Sequence, residues 1–136
     1  MCAANGSMRS GIWGELLSGA ARNAGCVGVL VDGAVRDIAK MRSMEFLAYT
    51  RGVSPLDSRD RQRVIDFDVP IEIGGVKVLP GDVVAADEDG VVFVPQSVCQ
   101  QVLMNARSKA QAESKVRDAI KNGMSARQSF DTYGIL

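Results

Sequence analysis

The sequence predicts an α/β fold, and three observations lead to that prediction. A strand, a helix and a second strand succeed one another between residues 26 and 49, as in a β-α-β unit. Short apolar runs separated by turn residues follow between residues 64 and 95, as in an antiparallel β segment. A long helical pattern with an apolar stripe begins at residue 97. A chain of 136 residues has the size of one domain, so we expect a single domain over 1–136.

The first half of the chain alternates between helix and strand. Leu16 and Leu17 lie on the apolar face of the first helix, and Gly25 is suited to end that helix. The apolar run that follows predicts a buried strand, which Asp32-Gly33 would end with a turn. The predicted elements in chain order are a loop over 1–10, a helix over 13–24, a strand over 26–31, a helix over 35–44 and a short strand over 46–49.

The second half contains short strands and then a long helix. A polar stretch over 51–63 predicts a solvated loop, and Gly74-Gly75 is a strong hairpin signal. Ser97 is a candidate cap for a helix ending near Asn122, and Ser125 for a last short helix over 126–133. The strands are predicted over 64–73, 76–78, 83–86 and 91–94. The apolar stripe of the long helix suits packing against another subunit or the home core and comprises Val98, Val102, Leu103, Ala106, Ala110, Val116 and Ile120.

Composition excludes several classes of function. Histidine is absent, so neither a Ser-His-Asp nor a Cys-His catalytic site is possible, and carboxylates, lysine, tyrosine or water would carry acid–base work. A metal would be held by oxygen, which favours Mg²⁺ or Mn²⁺ over zinc. The 16 basic and 16 acidic residues balance, which argues against a nucleic-acid partner. No apolar run is long enough to cross a bilayer, so no membrane role is expected.

The three cysteines predict a reducing, cytoplasmic setting. Their number is odd, their spacing is wide and they form no CxxC motif, which is typical of a protein without disulfides. Cys26 and Cys99 fall in apolar patterns, so we expect them to be packing residues.

Glu15, Arg36 and Asp37 are the residues that best suit chemistry. Glu15 stands near the start of the first helix, and Arg36-Asp37 follow the buried strand, where α/β proteins tend to place ligands. N–H groups around Gly14 to Leu17 could grip a carboxylate, Arg36 could add a charge-assisted fork, and Asp37 could supply oxygen to a hard cation. The alternative from pattern alone is that both acids complement helix dipoles and that Arg36 pairs with one of them.

Several motifs together resemble those of a known family. They comprise Trp13-Gly-Glu-Leu-Leu17, Val29-Leu-Val-Asp-Gly-Ala-Val-Arg-Asp37, Arg51-Gly-Val-Ser-Pro55, Gly74-Gly-Val-Lys-Val-Leu-Pro-Gly-Asp-Val-Val84 and Ala86-Asp-Glu-Asp-Gly-Val-Val92. In order and spacing they resemble the RraA-like group, which includes class II 4-hydroxy-4-methyl-2-oxoglutarate (HMG) aldolases and the regulator of ribonuclease activity A. Glu15 is followed after twenty residues by the pair Arg36-Asp37, and this pattern resembles that group's active-site signature.

The resemblance implies a layered β/β/α fold with a mixed sheet and a metal-dependent carbon–carbon lyase. The pyruvyl carboxylate of a 2-oxo acid would bind to backbone groups of Gly14, Glu15, Leu16 and Leu17. The reaction would be an HMG-type retro-aldol cleavage, oxaloacetate decarboxylation or both. Arg36 would bind substrate and steady the enolate oxygen, Asp37 would hold Mg²⁺ or Mn²⁺ largely through waters, and Glu15 would act on a metal-bound water. Glu113, in the C-terminal helix, matches by position an acid drawn from a neighbouring subunit.

The resemblance also implies a homotrimer or larger ring with active sites at subunit boundaries. Family members usually carry an N-terminal segment before the Trp-Gly-acid motif, and relative to them this chain is N-terminally short. The non-catalytic regulator branch is the alternative, and Asp37 favours the enzyme branch because the regulators tend to lack it. A Schiff base at Lys77 and a calcium loop at Asp87-Glu-Asp-Gly90 are weaker hypotheses, since these positions suit a solvent-facing strand residue and a hairpin turn.

Overall fold

The computed structural model describes residues 1–136 and confirms an α/β fold with parallel strands, antiparallel strands and a long C-terminal helix. The chain divides into two compact units, Met1–Pro80 and Gly81–Leu136. The elements are β1 (Cys2–Trp13), α1 (Glu15–Asn23), β2 (Gly28–Val35), α2 (Ile38–Ser43), β3 (Leu47–Val53), β4 (Ile71–Ile73), β5 (Val76–Val78), β6 (Val83–Ala86), β7 (Val91–Val94), a 3-10 turn (Gln96–Val98), α3 (Cys99–Lys121) and α4 (Ala126–Tyr133).

The first unit is built on a parallel sheet with the order β1-β2-β3. The central strand β2 is buried along most of its length, as expected for a strand covered on both faces. Val29, Val31, Val35 and Phe46 form the core, and partly buried side chains from α1 and α2 pack against it, including those of Ala21 and Ile38. The antiparallel hairpin of β4 and β5 turns at Gly74-Gly75, as the sequence predicts.

The predicted loop over 1–10 is wrong, because most of this stretch belongs to β1. Its pairing with β2 is irregular, with register shifts between Ala3 and Ser7 and again between Ser7 and Gly11. Asn5 and Gly6 have positive φ angles of 48° and 70°, which matches a turn-like interruption of the strand. Small polar residues have no strand preference of their own, so tertiary pairing with a buried neighbour decides their conformation here.

Other boundaries shift in ways that matter for the site. The predicted strand over 26–31 instead begins at Gly28 and continues to Val35, so Cys26 lies before it and is exposed rather than packed. Leu16 and Leu17 do not face the core, since 81% and 49% of their surfaces are exposed. The fully buried residue of α1 is Ser18. The predicted strand over 64–73 is reduced to β4.

The second unit contains the antiparallel β6–β7 hairpin and the helices α3 and α4. Ser97 does not cap α3, because a 3-10 turn over Gln96–Val98 precedes that helix. Ser125 does cap α4, where Ser125 and Gln128 form a reciprocal capping box. Much of the predicted stripe of the long helix is exposed, including Val98, Leu103 and Ile120. None of the helices combines the length and apolar character needed to span a membrane.

Candidate active site

Three parallel strands end at the same edge of the first unit's sheet, and the candidate residues follow them directly. β1 leads into Gly14-Glu15, and β2 leads into Arg36-Asp37. The Arg36 N–H donates to the Trp13 carbonyl at 2.8 Å, which brings the ends of β1 and β2 together. The Ser54 N–H donates to the Val35 carbonyl at 3.0 Å, which brings the end of β3 beside the end of β2. The carboxyl edge of a parallel sheet is a common place for a ligand site.

Asp37 joins the two halves of the predicted signature. Its carboxylate Oδ2 accepts a hydrogen bond from the Glu15 N–H at 3.2 Å and lies 3.6 Å from Arg36 Nη1. The structure therefore brings Glu15, Arg36 and Asp37 together across twenty residues of sequence. Asp37 has φ 58° and ψ 35°, a left-handed conformation that is uncommon for residues other than glycine. Such backbone strain is often found at functional sites, because the surrounding structure must maintain it.

Gly14 is required by space rather than by its backbone angles. A Cβ at this position would collide with Asp37 Oδ2 and would lie 3.0 Å from Arg36 Cγ. Its φ of −162° is ordinary extended backbone that any residue adopts. The glycine thus lets the Asp37 carboxylate approach the start of α1.

The first turn of α1 presents backbone donors beside Asp37. The first N–H groups of a helix have no acceptor within the helix, and Gly14 supplies no side-chain cap. The Glu15 N–H is used by Asp37, which leaves the N–H groups of Leu16 and Leu17 to bind an anion. The exposure of both leucine side chains keeps this turn accessible.

Ser18 holds this turn in place. Its Oγ donates to the Gly14 carbonyl at 2.9 Å and accepts a hydrogen bond from Trp13 Nε1 at 2.8 Å. The Ser18 N–H also donates to the Gly14 carbonyl at 3.0 Å. Ser18 is fully buried, so these contacts are shielded from water. Sequence reasoning missed Ser18, because a serine near the start of a predicted helix carries no signal of burial.

Arg36 contacts a second acid besides Asp37, and sequence reasoning also missed this residue. Arg36 Nη2 lies 3.3 Å from Asp57 Oδ2, in the loop that follows β3. The side chains of Arg36 and Asp57 are 37% and 55% exposed, so solvent reaches the pair. The available signal was the position of Asp57 shortly after the third parallel strand, within a stretch interpreted as a solvated loop.

Asp37 could hold a hard cation if water filled most of the ion's other coordination positions. The structure contains no group of three or more Asp, Glu or Cys side chains that could hold a metal together. Zinc sites usually need three or four protein ligands, whereas Mg²⁺ is often bound through one or two carboxylates and water. Asp37 supplies one carboxylate at the mouth of the site, with its side chain 33% exposed.

The remaining candidates lie elsewhere. Glu113 is on α3 in the second unit, where its carboxylate lies 3.7 Å from Lys109 Nζ, and its catalytic role stays a prediction. Lys77 is exposed and paired across the β4–β5 hairpin with Glu72, as a solvent-facing strand residue would be. Asp87 Oδ1 accepts hydrogen bonds from the N–H groups of Asp89 and Gly90, which is the contact pattern of a hairpin turn.

Comparisons with known proteins agree with the signature. A family model described as RraA-like, Aldolase/RraA, matches residues 1–93. A Halalkalibacterium halodurans protein provisionally named 4-hydroxy-4-methyl-2-oxoglutarate aldolase is 34% identical over 128 residues, which cover 93% of this chain and 60% of that protein.

Solved structures give the same family. An uncharacterized protein from Pseudomonas syringae pv. tomato superimposes with a TM-score of 0.93 at 29% identity, over 96% of this chain and 62% of that one. Streptomyces coelicolor RraAS2, described as an unusual member of the RNase ES inhibitor RraA family, gives a TM-score of 0.75 at 34% identity, over 84% of this chain and 58% of that one. The chain thus spans less than two thirds of each of these three relatives. With the strand-end cluster and the match over residues 1–93, the chain belongs to the RraA-like family.

Proposed function

We propose that this chain carries the site of a divalent-metal-dependent lyase that cleaves a carbon–carbon bond of a 2-oxo acid. The observation that carries the proposal is the meeting of Asp37 Oδ2 with the Glu15 N–H and Arg36 at the edge of a parallel sheet. The relative named for HMG aldolase activity supports the same class of reaction. The substrate would be an HMG-type hydroxy-oxo acid, oxaloacetate or both, since cleavage of either leaves the enolate of pyruvate.

Substrate binding would begin at the first turn of α1. The N–H groups of Leu16 and Leu17 would donate to the carboxylate of the 2-oxo acid, aided by the positive end of the helix. Gly14 lets the Asp37 carboxylate lie beside this turn, because a Cβ at this position would collide with Asp37. Arg36 would then donate to the 2-oxo oxygen, where negative charge develops as the bond breaks.

Asp37 would hold Mg²⁺ or Mn²⁺, and the bound ion would polarise the 2-oxo group as a Lewis acid. In the retro-aldol reaction, a base takes the proton of the 4-hydroxyl, the C3–C4 bond breaks, and its electron pair forms the enolate. In decarboxylation of oxaloacetate, the C3–C4 bond breaks with release of CO₂ and leaves the same enolate. In both reactions, C3 of the enolate then accepts a proton to give pyruvate. Since histidine is absent, we assign the proton transfers to a water oriented by the carboxylate of Glu15.

The full site would also use Glu113 from a neighbouring copy of the chain, within a homotrimer or a hexamer. The support for this assignment is its position on α3, a helix whose apolar stripe is largely exposed. A cytoplasmic location and the absence of nucleic-acid partners remain expectations from composition.

A non-catalytic, regulator-type protein is the second candidate. It is favoured by the likeness to RraAS2, which belongs to a family of RNase inhibitors by its description. Asp37 argues against it, because the resemblance implies that the regulators tend to lack an acid at this position. Binding to a ribonuclease with no lyase turnover would support this candidate.

Oxaloacetate turnover tests the proposal. Purified protein would be assayed with and without Mg²⁺, and pyruvate release would be followed through a coupled dehydrogenase above the metal-only background. We expect metal-dependent turnover that falls at least about a hundredfold in Asp37→Asn, since a group that holds the Lewis acid acts directly on the transition state.

Asp89→Asn is the matched control, because it removes one carboxylate from the exposed β6–β7 turn and should retain full activity. No turnover above background by folded wild-type protein would contradict the lyase proposal. Equal activity of Asp37→Asn and wild type would contradict the metal-binding role of Asp37.

A further inference from the structure

The loop that follows β3 places a second carboxylate on Arg36. Asp57 Oδ2 lies 3.3 Å from Arg36 Nη2, on the terminal nitrogen that does not face Asp37. The other oxygen, Asp57 Oδ1, accepts a hydrogen bond from the Arg59 N–H at 2.7 Å. One oxygen of this carboxylate is therefore fixed by its own loop, and the other faces the guanidinium.

The loop itself is tied to the strand ends on both sides of Asp57. The Gly11 N–H donates to the Leu56 carbonyl at 2.9 Å, which attaches the residue before Asp57 to β1. Farther along, the fully buried Ser10 hydroxyl donates to Gln62 Oε1. These contacts hold the backbone around Asp57 against the same sheet edge that carries Arg36.

We propose that Asp57 is a positioning residue, which holds the Arg36 guanidinium in the orientation that receives the substrate. Arg36 is a long side chain, and 37% of it is exposed, so it would sample several rotamers if Asp37 were its sole partner. Contacts on both terminal nitrogens restrict the rotamers of Arg36. A guanidinium has five N–H donors, so donors that these two contacts do not use stay available to a ligand. This inference rests on the proposed function, since the orientation matters because Arg36 binds the 2-oxo acid.

The test compares Asp57→Asn with Asp60→Asn. Asp60 lies in the same loop, is 93% exposed and is paired with Arg59 at 3.9 Å, so its replacement removes the same charge without touching Arg36. Steady-state kinetics with oxaloacetate and calorimetric binding of oxalate, a planar dianion like the enolate of pyruvate, would be measured for each. A contact between partly exposed charges predicts a modest change, so Asp57→Asn should raise KM and the oxalate Kd about two- to fivefold with kcat nearly unchanged.

Three comparisons make the result specific. Asp60→Asn should bind oxalate as the wild type does, and Asp57→Glu, which keeps the charge, should recover part of the lost affinity. In an Arg36→Ala background, Asp57→Asn should have no further effect, because the residue through which it acts is gone. Oxalate affinity of Asp57→Asn that equals or exceeds that of the wild type would overturn the positioning role, while turnover by the wild type would leave the lyase proposal standing. Absence of both turnover and oxalate binding in the wild type would overturn the proposed function and this inference with it.

Discussion

Individual residues at the sheet edge show how much of the site depends on local geometry. Asp37 adopts a left-handed conformation at the start of α2, yet its carboxylate turns back to the start of α1 instead of capping its own helix. A residue held in such a conformation is a candidate functional residue, because the surrounding structure must maintain it. Gly14 and Ser18 serve this arrangement, one by leaving space and the other by fixing the turn.

Gly14→Ala tests the space requirement. The added methyl group would force Asp37 or Arg36 to move, so we expect a loss of about 1–3 kcal/mol in the free energy of unfolding and loss of lyase activity. Gly19→Ala is the matched control, since a Cβ there meets Met44 Cε at 3.7 Å, an ordinary contact. Inside helix α1 this control should gain about 0.5–1 kcal/mol. Urea unfolding would measure the free energy of unfolding of both variants. Equal stability of Gly14→Ala and Gly19→Ala would refute the steric argument.

Cysteine reactivity provides a second test at the residue scale. Cys26 is exposed, whereas Cys2 is partly buried and packs against the core, and its burial raises the pKa of the Cys2 thiol. A raised pKa leaves less reactive thiolate at neutral pH. We therefore expect Cys26 to react first with a thiol reagent such as 5,5′-dithiobis(2-nitrobenzoate), and Cys26→Ser to lose the fast phase. A fast phase that survives in Cys26→Ser would show that this order is wrong.

Whole elements were predictable where the sequence pattern and the tertiary context agree. The buried strand β2, the Gly74-Gly75 hairpin and the Ser125-capped helix all follow from local signals that the fold does not oppose. β1 was missed because its strand character comes from pairing with β2. Positions at helix starts and the resemblance to the family's signature pointed to Glu15, Arg36 and Asp37. Asp57 could not be assigned, because its contact with Arg36 depends on how the loop after β3 folds back.

The capping box of α4 tests an element-scale prediction. Ser125 Oγ accepts a hydrogen bond from the Gln128 N–H at 3.2 Å, so Ser125→Ala should cost about 1 kcal/mol by exposing an unsatisfied helix donor. Ser114→Ala in α3 is the matched control, because Ser114 Oγ donates to the Ala110 carbonyl within an exposed helix interior and alanine is preferred there. Thermal unfolding monitored by circular dichroism would separate the two, and an unchanged midpoint in Ser125→Ala would count against the cap.

At the scale of the whole molecule, the first unit contains Gly14, Glu15, Arg36, Asp37 and Asp57, and the second contains α3. The exposed apolar side chains of α3 are unusual for a helix in contact with water throughout. They include Leu103 and Met104, which are 57% and 54% exposed. Apolar surface of this kind is typical of interfaces between subunits, which agrees with the proposed homo-oligomer.

Self-association through α3 makes a direct prediction. Leu103→Glu should reduce the size of the assembly in sedimentation velocity, because a charge at an apolar interface must be desolvated without a partner. Gln100→Glu adds the same charge at an exposed polar position of the same helix and should leave the assembly unchanged. Identical sedimentation of Leu103→Glu and wild type would exclude this helix from the interface.

The separate origin of the site residues has a consequence for how the proposed lyase could be retuned. Asp37 and Glu15 follow β2 and β1, whereas Asp57 follows β3 and touches the site through Arg36. A library of variants confined to residues 56–61 would therefore alter how substrates of different size and charge are received while leaving the proposed metal-binding carboxylate intact. Substitutions in this stretch would therefore change substrate preference without touching Asp37.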